Sequence, residues 1–133
     1  MEVPMTAVRE LRFAFTVDDY DGALSLFRDI FGLQTIEEFQ AQGGRGILLD
    51  VPVATLEIFD NTHTDVIDMI EVGRQLGERA RIAARVDDLP SASDSVRGLG
   101  AQVLAPPVTT PWGDRNQRFR ACGLQLTLFQ SPK

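Results

Sequence analysis

Two stretches of the chain carry the same pattern of hydrophobic and polar positions. They cover residues 11–36 and 80–104. Each begins with apolar and polar residues in alternation, which is typical of a strand with one buried face. An acidic pair follows, then a segment with apolar residues at helical spacing, and then a glycine. The pattern therefore predicts a strand, an acidic turn, a helix, a glycine and a second strand in each copy.

The first copy shows these signals most clearly. Over residues 12–17 the apolar side chains Phe13, Phe15 and Val17 fall on one face of the predicted strand. The predicted helix runs from about Asp21 to Phe31, and an aspartate at its start can cap its N-terminus. A glycine follows its last apolar residue, as is common after a helix C-terminus.

The ends of the two halves match as well. Residues 54–60 and 124–130 resemble each other, and their alternation predicts a strand in each. A further strand-like segment precedes each of them, at 45–50 and 117–121. Each half is thus predicted as one strand, one helix and three more strands.

A helix is predicted between the halves. Residues 65–76 have helical character, with Thr64 as a plausible N-cap and Gly77 after the helix end. In the second half, the proline-rich stretch 105–113 is the longest irregular segment.

Composition narrows the class of protein. The 133 residues suit one globular domain, and 44% of them are hydrophobic. The net charge of −6 argues against a nucleic-acid partner, because an acidic chain repels phosphate backbones. A single cysteine, Cys122, cannot form an internal disulfide, and no stretch approaches membrane-spanning length. No signal peptide is recognisable in residues 1–10, so we expect a cytoplasmic protein.

The repeated halves resemble the vicinal oxygen chelate superfamily, which includes glyoxalases, extradiol dioxygenases and bleomycin-resistance proteins. The resemblance covers nearly the whole chain and rests also on the TLEIFD end of the first half and the PWGDRNQRF loop of the second. It is strongest toward the bleomycin-resistance branch. It implies an α+β fold in which two βαβββ modules curl one mixed sheet around a cavity, and a homodimer whose pockets are formed partly by the partner chain.

This resemblance sets the expected domain organisation. We expect one domain over residues 1–133. Its parts are module one at about 9–60, the connecting helix at about 64–77 and module two at about 79–130.

The resemblance also marks four positions where metal enzymes of the family hold their ion. They lie on the first and last strands of each half, and here they carry Arg12, Glu57, Arg81 and Thr127. Arginine stays protonated and has no lone pair to donate, so this set does not suit a divalent ion. The only histidine, His63, lies outside these positions. We therefore expect no metal and no other cofactor.

Strand alternation predicts which other side chains share the cavity with these four positions. The candidate ligand-binding residues are Arg12, Glu57, Phe59, Arg81, Arg85, Thr127 and Phe129. Phe39 and Phe119 join them only if they face inward. Two interpretations of the charged residues stay open. Arg12, Glu57 and Arg81 pair with each other in a buried ion network, or one guanidinium is available to an acidic or carbonyl-rich ligand.

Trp112, the only tryptophan, completes the candidate site. It lies in a Pro-Trp-Gly turn rather than at a periodic core position. In the bleomycin-resistance branch the corresponding turn borders the ligand groove, so the resemblance implies a ligand contact. The alternative is a tryptophan that caps the edge of the sheet.

The leading functional hypothesis is a metal-free small-molecule binding protein that sequesters a flat aromatic antibiotic or metabolite. No nucleophile–base pair is visible in the sequence, whereas a binding protein needs only a shaped pocket with a few polar anchors. One alternative is a lyase or dioxygenase, either metal-dependent or using Glu57 as a general base. Another is a purely structural or regulatory domain.

Overall fold

The computed structural model describes residues 12–132 together with Thr6, Arg9 and Glu10, so Leu11 and most of the first ten residues lie outside it. The helices are α1 (Tyr20–Leu24), which continues as a π-helical turn over Ser25–Ile30, α2 (Asn61–Glu71) and α3 (Leu89–Gly98). The strands are β1 (Thr35–Ala41), β2 (Gly44–Leu49), β3 (Ile82–Arg85), β4 (Gln102–Val103), β5 (Val108–Thr109), β6 (Arg115–Ala121) and β7 (Leu124–Gln130). The predicted α+β class is confirmed.

The second half has the predicted order of one strand, one helix and further strands. Its sheet runs β3-β7-β6-β4, and the short β5 also pairs with β6. Strand β3 is parallel to β7, and the other pairs are antiparallel. Asp88 caps α3 by accepting a hydrogen bond from the backbone N–H of Ser91, as an aspartate before a helix commonly does.

The hydrophobic core lies between α3 and one face of this sheet. Leu89 and Val96 of α3 pack with side chains of β6 and β7, among them Phe119 and Leu128. Leu26, from the helical segment of the first half, joins the same cluster. The first half is therefore anchored to the second through its helix.

The first half contains the predicted helix and a β1–β2 hairpin. Asp19 caps α1 by accepting from the N–H of Gly22, and Gly32 follows the helical segment with φ +72°, a conformation that glycine adopts without strain. The hairpin turns on Gln42-Gly43, as the β6–β7 hairpin turns on Cys122-Gly123. All four of these residues have positive φ, which is the requirement of a tight two-residue hairpin turn.

Two predicted strands of the first half are not formed. Residues 12–17 and 54–60 carry no strand pairing among the residues that the structure describes. Their apolar side chains are exposed, by 61% for Phe13 and 84% for Ile58. Alternation shows that a segment suits a sheet, but a strand forms only where a neighbour takes up its backbone hydrogen bonds. Within residues 12–132 the two halves therefore have separate sheets.

The connecting helix α2 begins earlier than predicted. Asp60 caps it by accepting a hydrogen bond of 2.8 Å from the N–H of His63, so Thr64 lies inside the helix and the prediction of Thr64 as N-cap is wrong. The helix ends at Glu71, and Gly73 follows with φ +79° in the role assigned to Gly77. None of the helices described here is long and apolar enough to cross a bilayer.

Candidate functional site

Strands β6 and β7 present two different faces because successive side chains alternate. One face carries the hydrophobic core beneath α3. The opposite face, which α2 covers, carries Asn116, Arg118, Gln125 and Thr127, and we call these four residues together with Arg81 the polar face. Arg118 and Thr127 are each only 1% exposed. Phe119 lies on the core side, so it does not contribute to the candidate site.

Arg118 forms the centre of the polar face. Its Nη1 donates to Asp68 Oδ1 at 2.8 Å and to Gln125 Oε1 at 2.8 Å. Its Nε and Nη2 donate to Glu71 Oε1 at 3.3 and 3.2 Å. One buried guanidinium thus binds both carboxylates that α2 directs at the sheet. These carboxylates compensate the positive charge of Arg118.

Glu71 connects Arg118 to Thr127 and, through the Thr127 hydroxyl, to Arg81, two of the site residues predicted in the second half. Thr127 Oγ1 donates to Glu71 Oε1 at 3.0 Å and accepts from Arg81 Nη1 at 2.7 Å. Asn116 Nδ2 donates to the second carboxylate oxygen of Glu71 at 3.3 Å. The structure therefore brings Arg81 and Thr127 together by a direct hydrogen bond, and it adds a carboxylate of α2 that the sequence pattern did not indicate.

Burial shapes the electrostatics of the polar face. Desolvation lowers the pKa of Arg81 and the nearby Arg118 lowers it further, whereas Glu71 and Glu57 oppose the shift. Burial also acts to raise the pKa of Asp68, but hydrogen bonds from Arg118 and from two backbone N–H groups outweigh it, so the pKa lies below its usual range. The charged form of Asp68 is therefore stabilised by folding.

Two groups of the polar face have hydrogen-bonding capacity that α2 does not use. Asn116 Oδ1 is buried and has no hydrogen-bond partner. Arg81 hydrogen-bonds Thr127, and no carboxylate of the described residues lies within ion-pair distance of it. The face thus offers at least one acceptor and further guanidinium donors to an additional group.

The predicted ion network of Arg12, Glu57 and Arg81 is not formed. Arg12 instead pairs with Glu10 at 3.3 Å on an exposed segment, and Glu57 is exposed. Phe59 packs edge-on against the ring of His63, with 4.6 Å between the ring centroids. These candidates of the first half lie on the unpaired segments. Of the three, Glu57 lies near enough to Arg81 to act on its pKa, but the two form no ion pair.

Arg85 and Phe129 extend the polar face beyond the part that α2 covers. They are register partners in the parallel β3–β7 pair, where Ala83 faces Thr127 two residues earlier. By alternation both lie on the side of Thr127. Arg85 is exposed and Phe129 is half-buried, so an accessible cation and an aromatic ring lie side by side here.

Trp112 lies at the tip of a turn before β6 and is 50% exposed. The turn is closed by a hydrogen bond from the N–H of Gly113 to the carbonyl of Thr110 at 3.0 Å, and Gly113 has φ +98°. Asp114 N–H donates to Thr110 Oγ1 at 3.1 Å. A hydrogen-bonded turn thus presents a largely accessible indole.

Phe39, the remaining aromatic candidate, is exposed on β1 and lies over Gly46 of the neighbouring strand. A separate surface cleft of about 990 Å³ lies at the N-terminal end of α3, lined by residues such as Ser93, Arg97 and Arg115. None of the predicted site residues lines this cleft, so it is distinct from the candidate site.

Comparison with known proteins identifies the family. The family model described as Glyoxalase/Bleomycin resistance protein/Dioxygenase superfamily matches residues 11–128. The chain belongs to this superfamily. It is the superfamily that the repeated halves of the sequence resemble. Among curated protein sequences, none matches this chain.

Several solved structures are similar to this chain. A hypothetical protein from S. aureus has a TM-score of 0.60 at 14% identity, with 93% of this chain and 95% of that chain covered. TnmS3, an antibiotic binding protein from Streptomyces sp., has a TM-score of 0.58 at 20% identity, with 97% and 100% covered. A lactoylglutathione lyase from Agrobacterium tumefaciens has a TM-score of 0.53 at 20% identity, with 96% and 95% covered. At these identities the likeness shows the fold alone.

The metal ion of the superfamily's enzymes does not fit the side chains at the corresponding positions. Arg81 and Thr127 hydrogen-bond each other in the second half, and a guanidinium neither donates a lone pair nor tolerates a nearby cation. Within the described part of the chain, no three side chains of the His, Cys, Asp and Glu types converge in a metal-binding geometry.

Proposed function

We propose that this superfamily member is a metal-free binding module that sequesters a flat, partly aromatic small molecule, such as an antibiotic or a related metabolite. The observation that carries the proposal is the replacement of metal ligands by hydrogen-bond donors on the polar face. Arg81 and Thr127 occupy the superfamily's ligand positions and bond each other. Donors fixed in a pocket orient a bound molecule, but they do not activate it as a metal does.

The accessible residues beside the polar face support a flat ligand. Arg85 and Phe129 lie next to each other, and a guanidinium or a phenyl ring can stack on a planar group. The half-exposed indole of Trp112 supplies a third planar surface. We include Arg12, Glu57 and Phe59 in the pocket as contributions of the first half.

A homodimer is part of the proposal. The exposed apolar side chains of residues 12–17 and 54–60 alternate as strands do, and no strand of the described residues pairs with the edge of β3 that faces away from β7. A second copy that pairs with these segments buries the apolar side chains and satisfies backbone hydrogen bonds. In such a dimer the partner chain completes the pocket. We also propose that the protein works in the cytoplasm, where its single cysteine stays reduced.

Native mass spectrometry of protein purified under non-denaturing conditions tests the proposal. We expect a co-purifying organic molecule with an unsaturated, planar skeleton, which is released unchanged on denaturation. Recovery of a chemically altered molecule after incubation with fresh protein would instead establish an enzyme and refute sequestration.

The tryptophan allows a second measurement with the same molecule. Since Trp112 is the only tryptophan, its fluorescence emission reports on this turn alone, and binding of the molecule should change that emission. Titration calorimetry should give weaker binding for Trp112→Ala and nearly unchanged binding for Trp112→Phe, which keeps an aromatic surface. Equal affinities of all three proteins would place the pocket elsewhere.

A further inference from the structure

Helix α2 is attached to the polar face mainly by charge. Its buried residues are Ile67, Asp68 and Glu71, whereas Val66 and Met69 are exposed. A helix that packs in the ordinary way buries a continuous apolar stripe. Here one buried apolar side chain, the half-buried Ile70 and two buried carboxylates hold the helix, so lifting it from the sheet exposes less hydrophobic surface than in an ordinary amphipathic helix.

The groups around Glu71 are those that recognise a carboxylate ligand. Its oxygens accept hydrogen bonds from the guanidinium of Arg118, the hydroxyl of Thr127 and the amide of Asn116. A buried guanidinium supported by neutral donors is a common protein site for a carboxylate. The carboxylate in this structure is supplied by the chain itself.

The polar face also has capacity that Glu71 and Asp68 leave unused. Asn116 Oδ1 is buried without a partner, and Asn116 is 5% exposed. A buried acceptor without a donor is rare in folded proteins and indicates a missing hydrogen-bonding group. Arg81, whose hydrogen bond goes to the Thr127 hydroxyl, offers unused donors on the other side of that hydroxyl.

We propose that the polar face is a carboxylate-binding site, that Glu71 occupies it as an internal ligand, and that the molecule this protein binds carries a carboxylate that exchanges with Glu71. The inference rests on the proposed small-molecule binding function and names the ligand class of that site. The ligand carboxylate bonds Arg118 and Thr127, while its remaining polar groups reach Arg81 and Asn116. Its planar part extends toward Arg85 and Phe129.

Charge explains why the exchange selects an anion. When a ligand carboxylate replaces Glu71, Arg118 remains paired, and the released Glu71 becomes solvated. A neutral ligand leaves a buried guanidinium short of one carboxylate, which is strongly unfavourable. The site therefore discriminates a carboxylate from the isosteric amide through its charge balance, since Asp68 would be the one carboxylate left beside the guanidiniums of Arg118 and Arg81.

The test uses benzoate as the probe and benzamide as its neutral isostere, in a carboxylate-free buffer at matched ionic strength. Titration calorimetry compares the full-length protein with Glu71→Ala, in which the internal carboxylate is removed. We expect benzoate to bind Glu71→Ala about tenfold or more tightly than the unchanged protein, because an occluded site binds in proportion to its open fraction. Benzamide should bind neither protein measurably.

Asp65→Ala is the matched control. It removes one negative charge from the same helix, and Asp65 makes no hydrogen bond to the polar face among the described residues. We expect its affinity for benzoate to equal that of the unchanged protein. Adding Thr127→Val to Glu71→Ala should weaken benzoate binding about tenfold, since a hydrogen bond to a charged group is lost. If folded Glu71→Ala binds benzoate no more tightly than Asp65→Ala, the network is structural only and the inference is wrong.

Hydrogen exchange on the unchanged protein decides the question if Glu71→Ala fails to fold. Benzoate should accelerate exchange of the α2 backbone amides, and benzamide at the same concentration should not. Unchanged α2 protection up to the solubility limit of benzoate would overturn the inference. That failure is distinguishable from failure of the proposed function, because binding of the co-purifying molecule is measured separately at Trp112.

Discussion

Replacing Arg118 by methionine should destabilise the fold more than any single change at the surface. The side chain is 1% exposed and pairs with Asp68 and Glu71, which are also buried. Methionine fills much of the same volume but leaves two buried carboxylates facing each other without a cation. Removing one partner of a buried ion pair typically costs about 3–5 kcal/mol.

This cost corresponds to a large thermal shift. Unfolding entropy of about 2.1 cal/mol/K per residue implies that each kcal/mol lowers the Tm of a chain of this length by about 3–4 °C. We therefore expect Arg118→Met to lower the Tm by about 10–18 °C. Urea denaturation at neutral pH should show a lower midpoint with an unchanged m-value, which separates lost stability from a change in the denatured state.

A triple variant controls for lost packing. Arg118→Met combined with Asp68→Asn and Glu71→Gln removes all three charges of the ion pairs that Arg118 forms, so neither carboxylate is left without its cation. We expect it to recover at least half of the loss, because neutral buried groups cost much less than unpaired charges. A loss below about 1 kcal/mol in Arg118→Met, the range of surface ion pairs, would refute the burial argument. Absence of recovery in the triple variant would show that packing, not charge, makes Arg118 important.

Further predictions concern the pH response, the turn, the assembly and metal content. Because folding lowers the pKa of Asp68, the charged carboxylate of Asp68 stabilises the folded state. This stabilisation is present above the ordinary carboxyl pKa of about 3.9 and is lost as the pH falls through the lower pKa of the folded state. Asp68→Asn should remove this pH-dependent part of the stability from an acid-unfolding curve. Trp112→Ala should leave the Tm nearly unchanged, since the indole is half-exposed. Ile58→Asp should shift sedimentation from dimer to monomer. Protein purified without chelator should contain less than stoichiometric nickel, zinc, iron or manganese.

Each of these expectations has a contrary result. An acid-unfolding curve of Asp68→Asn that superimposes on that of the unchanged protein would contradict the role of this carboxylate. A Trp112→Ala protein that unfolds would make the indole a core side chain. Sedimentation that shows only monomer at micromolar concentrations would remove the homodimer. A stoichiometric ion held by Glu57 would revive the enzyme alternative.

Local signals were sufficient to predict most elements. The acidic pairs before α1 and α3 contain the residues that cap them, Asp19 and Asp88, and the matching ends of the halves predicted β2, β6 and β7. The start of α2 was misplaced because Asp60 and Thr64 are both good caps, and the sequence does not rank them. Where two residues can each cap a helix, packing outside the helix decides at which of them the helix begins.

Most contacts between distant segments of the chain could not be predicted from the sequence. Arg81 and Thr127 could be predicted together because the family resemblance implies that both occupy positions of one site, on the first and last strands of the second half. Asp68 and Glu71 lie three residues apart, so a shared helix face was predictable, but which sheet face α2 covers depends on tertiary docking. The strands predicted over residues 12–17 and 54–60 are not formed for the same reason. Alternation predicts that one side of a segment is buried, but not which part of the chain buries it.

The two glycine turns limit how the sequence of the two hairpins can change. The turns at Gln42-Gly43 and Cys122-Gly123 each join their strands with two residues, and such short turns fix the register of a hairpin. A slip of either pairing by one residue would move every following side chain to the opposite face of its sheet. Sequence change in β6 and β7 is thereby restricted to exchanging side chains at fixed positions. Insertions and deletions are better tolerated in the irregular segments, such as the longer loop around Trp112.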